Sequence, residues 1–173
     1  MAEATQIERT AYHEAGHAVA FIEMRLAFKY VTIVPGCAWW SDDAKLGYLQ
    51  PVAVKGFRPD RNVDRRTRER AEARIIGLLA GSIAEAKLIG QDVPKSGSRV
   101  DLDQAASLAK CFCGSDEEVE AYLESLYVRT KQLFDSPHVW AAVEALAGEL
   151  FKHTRVSAVL ARKIVRAAMG LPV

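Results

Sequence analysis

One stretch near the N-terminus constrains this chain more than any other. In "TAYHEAGHAVAF", residues 10–21, His13, Glu14 and His17 fall among Ile7, Ala11, Ala15, Val19 and Ile22, which recur at helical spacing. Thr5 and Glu8 have the spacing of a capping box, so a helix is predicted to start there and run to about Phe28. A helix that turns an apolar stripe inward and carries two imidazoles and a carboxylate within it must find partners for them, because buried polar groups without partners are costly. Gly16 adds a second constraint. A mid-helix glycine costs roughly 1 kcal/mol against alanine, which signals another segment packing closely at that point.

The rest of the chain is read around this helix. With 173 residues, half of them hydrophobic, it suits one domain, or one domain with a helical appendage. A formal charge of +1 gives no reason to expect nucleic acid or another polyanion. No apolar run approaches the ~20 residues that span a membrane, and "MAEATQIERT" lacks the basic-then-apolar order of a secretion signal. Cys37, Cys111 and Cys113 are too few, and odd in number, for a disulfide framework. That favours a reducing interior and a cytoplasmic location.

"YVTIVPG", rich in β-branched residues and stopped at Pro35–Gly36, reads as a short strand. "KLGYLQPVAV" is its partner, and "CAWWSDDA", with Trp39 and Trp40, is the loop of a small hairpin. Residues 58–74 are arginine-rich and read as the solvated start of a helix that continues into the apolar "IIGLLAGSIAEAKLIG". After the loop "QDVPKSGSR" the remaining segments are amphipathic helices. The architecture is mainly α, with one small β element beside the first helix. Residues 1–115 carry the metal-site core, and 116–173 form a C-terminal helical portion of the same domain.

His13 and His17, four apart, share one helical face and can grip a single ion. Glu14 is angled away from that face, where it can accept a proton from a water whose pKa zinc has lowered. This is the chemistry of the HExxH pattern. A catalytic zinc normally has three protein ligands. The metzincin extension would need glycine at 20 and histidine at 23, but the chain has Ala20 and Glu23. His138 and His153 lie far downstream in the helices read as an appendage and are treated as ordinary histidines. The acidic candidates are Glu69, Glu72, Glu85, Asp101 and Asp103. Glu85 and Asp101 stand out, the first in an apolar helix, the second at a helix start, and spacing does not choose between them.

Four motifs in register carry a resemblance. "TAYHEAGHAV", "VTIVPG" followed by "LGYLQP", "LLAGSIAEAKLIG" and "SGSRVDLDQAASLAK" resemble, in order and spacing over roughly residues 6–115, the peptidase domain of FtsH-type proteases, the AAA+ zinc metalloproteases. The resemblance implies an FtsH-peptidase-like helical zincin fold. It implies zinc held by His13, His17 and Asp101, with Glu14 as catalytic acid/base and Glu85 orienting a ligand histidine from behind. The chain departs from the pattern in lacking the ATPase and transmembrane parts. It also has Val100 before the aspartate and Ser82–Ile83 in place of an Arg-Ala pair.

The function expected from these residues is a stand-alone zinc metalloendopeptidase acting on unfolded or flexible polypeptides. Extended substrate is expected to add to the strand edge at Thr32, Ile33 and Val34. A separate ATPase or a homo-oligomer is the partner to look for. The rival is a catalytically silent, zinc-binding regulatory or interaction module derived from such a peptidase.

Overall fold

Helix α1 spans Gln6–Glu23 in the computed structural model, which describes residues 4–34, 36–37, 44–45, 47–91 and 99–172. Its start is the expected one: the Thr5 hydroxyl oxygen accepts from the Glu8 amide at 3.2 Å. Its end is earlier than predicted, and Phe28 belongs to the following strand instead. Arg25 takes a left-handed conformation at φ 55°. The amides of Arg25 and Leu26 turn back onto the carbonyls of Ile22 and Phe21 at 3.0 and 2.7 Å. These are the bonds of a Schellman closure, in which an arginine occupies the place glycine usually takes. With no glycine or proline in "EMRLAFKY", the sequence does not announce this stop.

The expected hairpin is present. Strand β1 (Phe28–Thr32) pairs antiparallel with β4 (Tyr48–Pro51), setting Val31 opposite Leu49 and Thr32 opposite Tyr48. Between them, β2 (Gly36–Cys37) pairs with β3 (Ala44–Lys45). The side chains of Cys37, Trp39 and Trp40 lie outside the described residues. A third strand, β5 (Arg155–Ser157), was not anticipated. It pairs antiparallel with the other side of β1, placing Thr32 opposite Arg155 and making β1 the middle of the order β4-β1-β5.

The remaining helices are α2 (Arg65–Ile89), α3 (Arg99–Ala109), α4 (Asp116–Asp135), α5 (Pro137–His153) and α6 (Ala158–Ala168). Helix α2 begins at Asp64, whose carboxylate accepts from the Thr67 amide at 2.7 Å, and stops at left-handed Gly90. Its first two turns are largely exposed, the solvated face expected of the arginine-rich run. No helix among the described residues is long and apolar enough to cross a membrane.

Helix α1 is the hub. Ala11, Ala15, Ala18, Val19 and Ala20 are buried, with α2 on one side and α5 on another. The seam with α2 is built from small residues. A Cβ added at Gly16 would stand 2.6 Å from the Ala84 Cβ and 2.7 Å from the Ala80 carbonyl oxygen, so the close approach signalled by Gly16 is real. Helix α5 is not part of an appendage. It lays buried Val139, Ala142, Val143 and Leu146 into the same core, and Trp140 meets Tyr12 of α1 with ring centroids 5.8 Å apart. Apolar burial of this kind, at ~25 cal/mol per Å², fixes the orientation of α1 and therefore of the polar groups it carries.

Candidate metal centre

The buried stretch of α1 aims His13 and His17 at α2 and at the first turn of α3. Their Nε2 atoms are 3.0 Å apart. Asp101, in the first turn of α3, places Oδ2 3.6 Å from His13 Nε2 and 3.4 Å from His17 Nε2. Among the described residues these three form the one group of histidine, cysteine or acidic side chains gathered closely enough to hold a metal ion.

The hydrogen bonds behind the rings fix their tautomers. His17 Nδ1 lies 2.7 Å from the Gly77 carbonyl oxygen, which can only accept, so Nδ1 carries the hydrogen and Nε2 a lone pair. His13 Nδ1 lies 3.2 Å from Glu85 Oε2 and donates to it in the same way. Two ring nitrogens 3.0 Å apart, with a carboxylate oxygen facing both, repel unless a proton or a metal cation lies among them. The point equidistant from the three atoms is about 1.9 Å from each, close to the ~2.0–2.2 Å that zinc requires of nitrogen and carboxylate ligands. The donor set therefore fits zinc.

The electrostatics agree. Burial works to lower the His13 pKa, but hydrogen bonds to Asp101 and Glu85 and the charge of Glu14 outweigh it and push it up to about 10. Burial works to raise the Asp101 carboxyl, yet the imidazoles of His17 and His13 hold it well below the usual carboxylate range. Both shifts say that this pocket, with its carboxylates, favours a positive charge at its centre.

Two further helical features shape the pocket. Gly81 of α2 faces the Nε2 atoms: a Cβ there would lie 2.7 Å from His13 Nε2 and 2.7 Å from His17 Cε1, and would also press on His17 Nε2. Only the bare backbone leaves room for the two rings. Glu85, one turn further along α2, takes Arg9 as well as His13. The Nε and Nη2 of Arg9 donate to Glu85 Oε1 at 2.9 and 2.6 Å. The His13 hydrogen bond first, with the Arg9 pair beside it, keeps the Glu85 pKa below its ordinary value despite partial burial.

Glu14 is buried on the neighbouring face of α1, 5% exposed. The chain at the head of β4 lies directly against it, since a Cβ on Gly47 would stand 2.8 Å from the Glu14 Cγ and 3.0 Å from its Oε1.

The other candidates lie elsewhere. Glu69 pairs with Arg65 at 2.7 Å on the exposed start of α2. Glu72 accepts from the Tyr122 hydroxyl at 2.8 Å. Asp103 and His138 are exposed, and His153 pairs with Glu149 at 3.1 Å. The proposed substrate edge needs correcting. Thr32 lies in the central strand with both flanks paired. The Ile33 amide donates to the Thr154 carbonyl oxygen at 2.9 Å, and the Val34 amide to the Thr32 hydroxyl oxygen at 3.2 Å. The strand that the sequence could not show, β5, occupies the side an extended peptide would need.

Sequence reasoning missed Arg9 and Gly81. The signal for Gly81 was available: Gly77 and Gly81 stand four apart on one face of an otherwise strongly helix-forming run, the mark of a close approach. Arg9 carried no signal of its own beyond sitting four residues before His13.

Comparison with known proteins bears on this geometry. The family model described as peptidase family M41 matches residues 1–115. The ATP-dependent zinc metalloprotease YME1 homolog of Schizosaccharomyces pombe is 31% identical over 137 residues, covering 73% of this chain and 18% of the relative. The chain thus spans less than a fifth of the length of the curated relative it matches.

Proposed function

The chain belongs to peptidase family M41, and from that premise we propose that it is a zinc-dependent metalloendopeptidase hydrolysing unfolded or flexible polypeptides. The observation that carries the proposal is the convergence of His13 Nε2, His17 Nε2 and Asp101 Oδ2 within 4.8 Å of one another, with Glu14 on the adjoining face of the same helix.

In this reading His13, His17 and Asp101 hold the ion. Bound zinc supplies Lewis acidity, which lowers the pKa of water and polarises a peptide carbonyl. Glu14 takes the proton from the attacking water and returns it to the leaving amine. Its burial against Gly47 limits its rotamers and holds the carboxylate in place for both transfers. Glu85 and the Gly77 carbonyl orient the two imidazoles from behind, so that each presents Nε2. Extended substrate adds to the outer edge of β4, an edge strand in the order β4-β1-β5, and the residue just before that strand, Gly47, lies against Glu14. Backbone pairing along such an edge gives affinity with little dependence on sequence. An ATPase acting with this chain would serve to present unfolded segments to that edge.

The test separates binding from turnover. Glu14→Gln is expected to retain one zinc per chain while cleavage of an unfolded, casein-like substrate falls by at least 10²-fold. Cleavage by that variant at the wild-type rate would remove Glu14 from the mechanism. A wild type that binds zinc stoichiometrically and cleaves nothing would favour the silent module instead.

A further inference from the structure

Helix α1 contributes more to the metal centre than two ligands. One turn before His13, Arg9 reaches the carboxylate that holds His13 from behind. Arg9 and His13 are four apart and so lie on one face of α1, opposite Glu85 of α2. The two oxygens of that carboxylate are divided between them. Oε1 receives both the Nε and the Nη2 of Arg9, at 2.9 and 2.6 Å, and Oε2 receives His13 Nδ1 at 3.2 Å. We infer that Arg9 is a positioning residue of the metal centre, which locks the Glu85 carboxylate in the orientation that presents His13 Nε2 to the ion. The inference rests on the proposed zinc site.

Three observations support it. Arg9 is more than a third exposed in its side chain and Glu85 about a quarter, and an ion pair so open to water contributes little to stability by itself. Its value lies in geometry. The guanidinium pins Oε1 with two donors while His13 takes Oε2, so the carboxylate is held at both oxygens, whereas a lysine ammonium would supply the charge without the planar pair of donors. Finally, the His17 ring needs no such help, because its Nδ1 is held at 2.7 Å by the backbone carbonyl of Gly77. Of the two imidazoles, only His13 depends on a side chain that could swing away.

The experiment is a double-mutant cycle read in zinc affinity. Dissociation constants are measured by chelator competition for the full chain, Arg9→Ala, Glu85→Gln and the double variant. The Co²⁺ visible absorption spectrum serves as a second readout of ligand geometry. Arg9→Ala is expected to weaken zinc binding by about 10-fold, the lower end of what loss of an orienting partner costs. Arg9→Lys should recover part of that loss. The decisive expectation is non-additivity: the double variant should bind zinc no more weakly than Glu85→Gln alone, because Arg9 acts through Glu85. A dissociation constant for Arg9→Ala within twofold of wild type overturns the inference, as does multiplication of the two losses in the double variant. Should Arg9→Ala melt well below wild type, Arg9→Gln against Arg9→Lys makes the same comparison with the side-chain stem retained. Failure of the wild type itself to bind zinc would instead overturn the metal site on which the inference stands.

Discussion

Replacing Gly81 by alanine should separate zinc binding from folding. The added Cβ would stand 2.7 Å from both His13 Nε2 and His17 Cε1, and would press on His17 Nε2 as well. Non-bonded heavy atoms settle at ~3.5–4.0 Å, so the rings must retreat by roughly 1 Å. His17 can do so only by stretching its 2.7 Å hydrogen bond to Gly77. Overpacking of this kind costs ~1–3 kcal/mol. Alanine returns about 1 kcal/mol of that through its better helix propensity. The net destabilisation is therefore about 0–2 kcal/mol, a fall in Tm of no more than about 8 °C for a chain of this size. Metal coordination is far less forgiving, with distances tolerated to about ±0.2 Å. Zinc affinity should fall by at least ~100-fold, beyond the range for losing an orienting partner. The assay is chelator competition on the folded variant, with circular dichroism and thermal unfolding in EDTA as the check on folding. A Gly81→Ala chain that binds zinc like wild type would refute the claim that the ion lies between those rings.

Other expectations follow from the same contacts. Gly148→Ala in α5, where a new Cβ meets nothing within 4 Å, should raise stability by about 0.5–1 kcal/mol in urea titration and leave zinc affinity unchanged. Gly16→Ala should do the reverse, losing about 1–2 kcal/mol net because its Cβ would collide with Ala84 and the Ala80 carbonyl; an unchanged urea midpoint would speak against the tight α1–α2 seam. Zinc at 100 times its dissociation constant should stabilise the wild type by about 2.7 kcal/mol over the EDTA-treated chain, seen as a higher Tm, and His17→Ala should abolish that difference. Thr32→Val removes the hydroxyl that donates to the Thr154 carbonyl oxygen at 2.8 Å and should cost about 1 kcal/mol. A larger loss would mean that the Val34 amide, which donates to the same hydroxyl at 3.2 Å, is left without a partner.

What could be read in advance followed the range of the interactions involved. Local signals carried well. The capping box at Thr5, the apolar stripe of α1 and the four-residue spacing of His13 and His17 each depend on neighbours a turn or two away, and Gly16 signalled a close approach without naming the helix that makes it. The β1–β4 hairpin was legible from its β-branched run and the turn residues that end it. Glu85 could be picked out as a carboxylate in an apolar helix, but its partners could not, because Arg9 lies across a helix–helix interface that no spacing rule reaches. Asp101 was one acidic residue among several until the resemblance singled it out. Its approach to His17 is set by how α3 packs on α2, a long-range property. Strand β5 was hidden for a different reason. Three residues between two long helices give no alternation to detect, and only pairing with β1 makes Arg155–Ser157 a strand. That hidden strand pairs with the side of β1 on which substrate was expected, which is why the proposed edge is that of β4. The end of α1 was also invisible, because Arg25 adopts a left-handed backbone that its identity disfavours.

In the proposed site, one zinc ion is gripped jointly by a single turn of α1 and the first turn of α3. Anomalous diffraction from zinc-loaded crystals, recorded on either side of the zinc absorption edge, tests it most directly. One strong peak is expected about 2.0–2.2 Å from His13 Nε2, His17 Nε2 and an Asp101 carboxylate oxygen. A peak whose neighbours omit Asp101, or no peak between the two histidines, would contradict it.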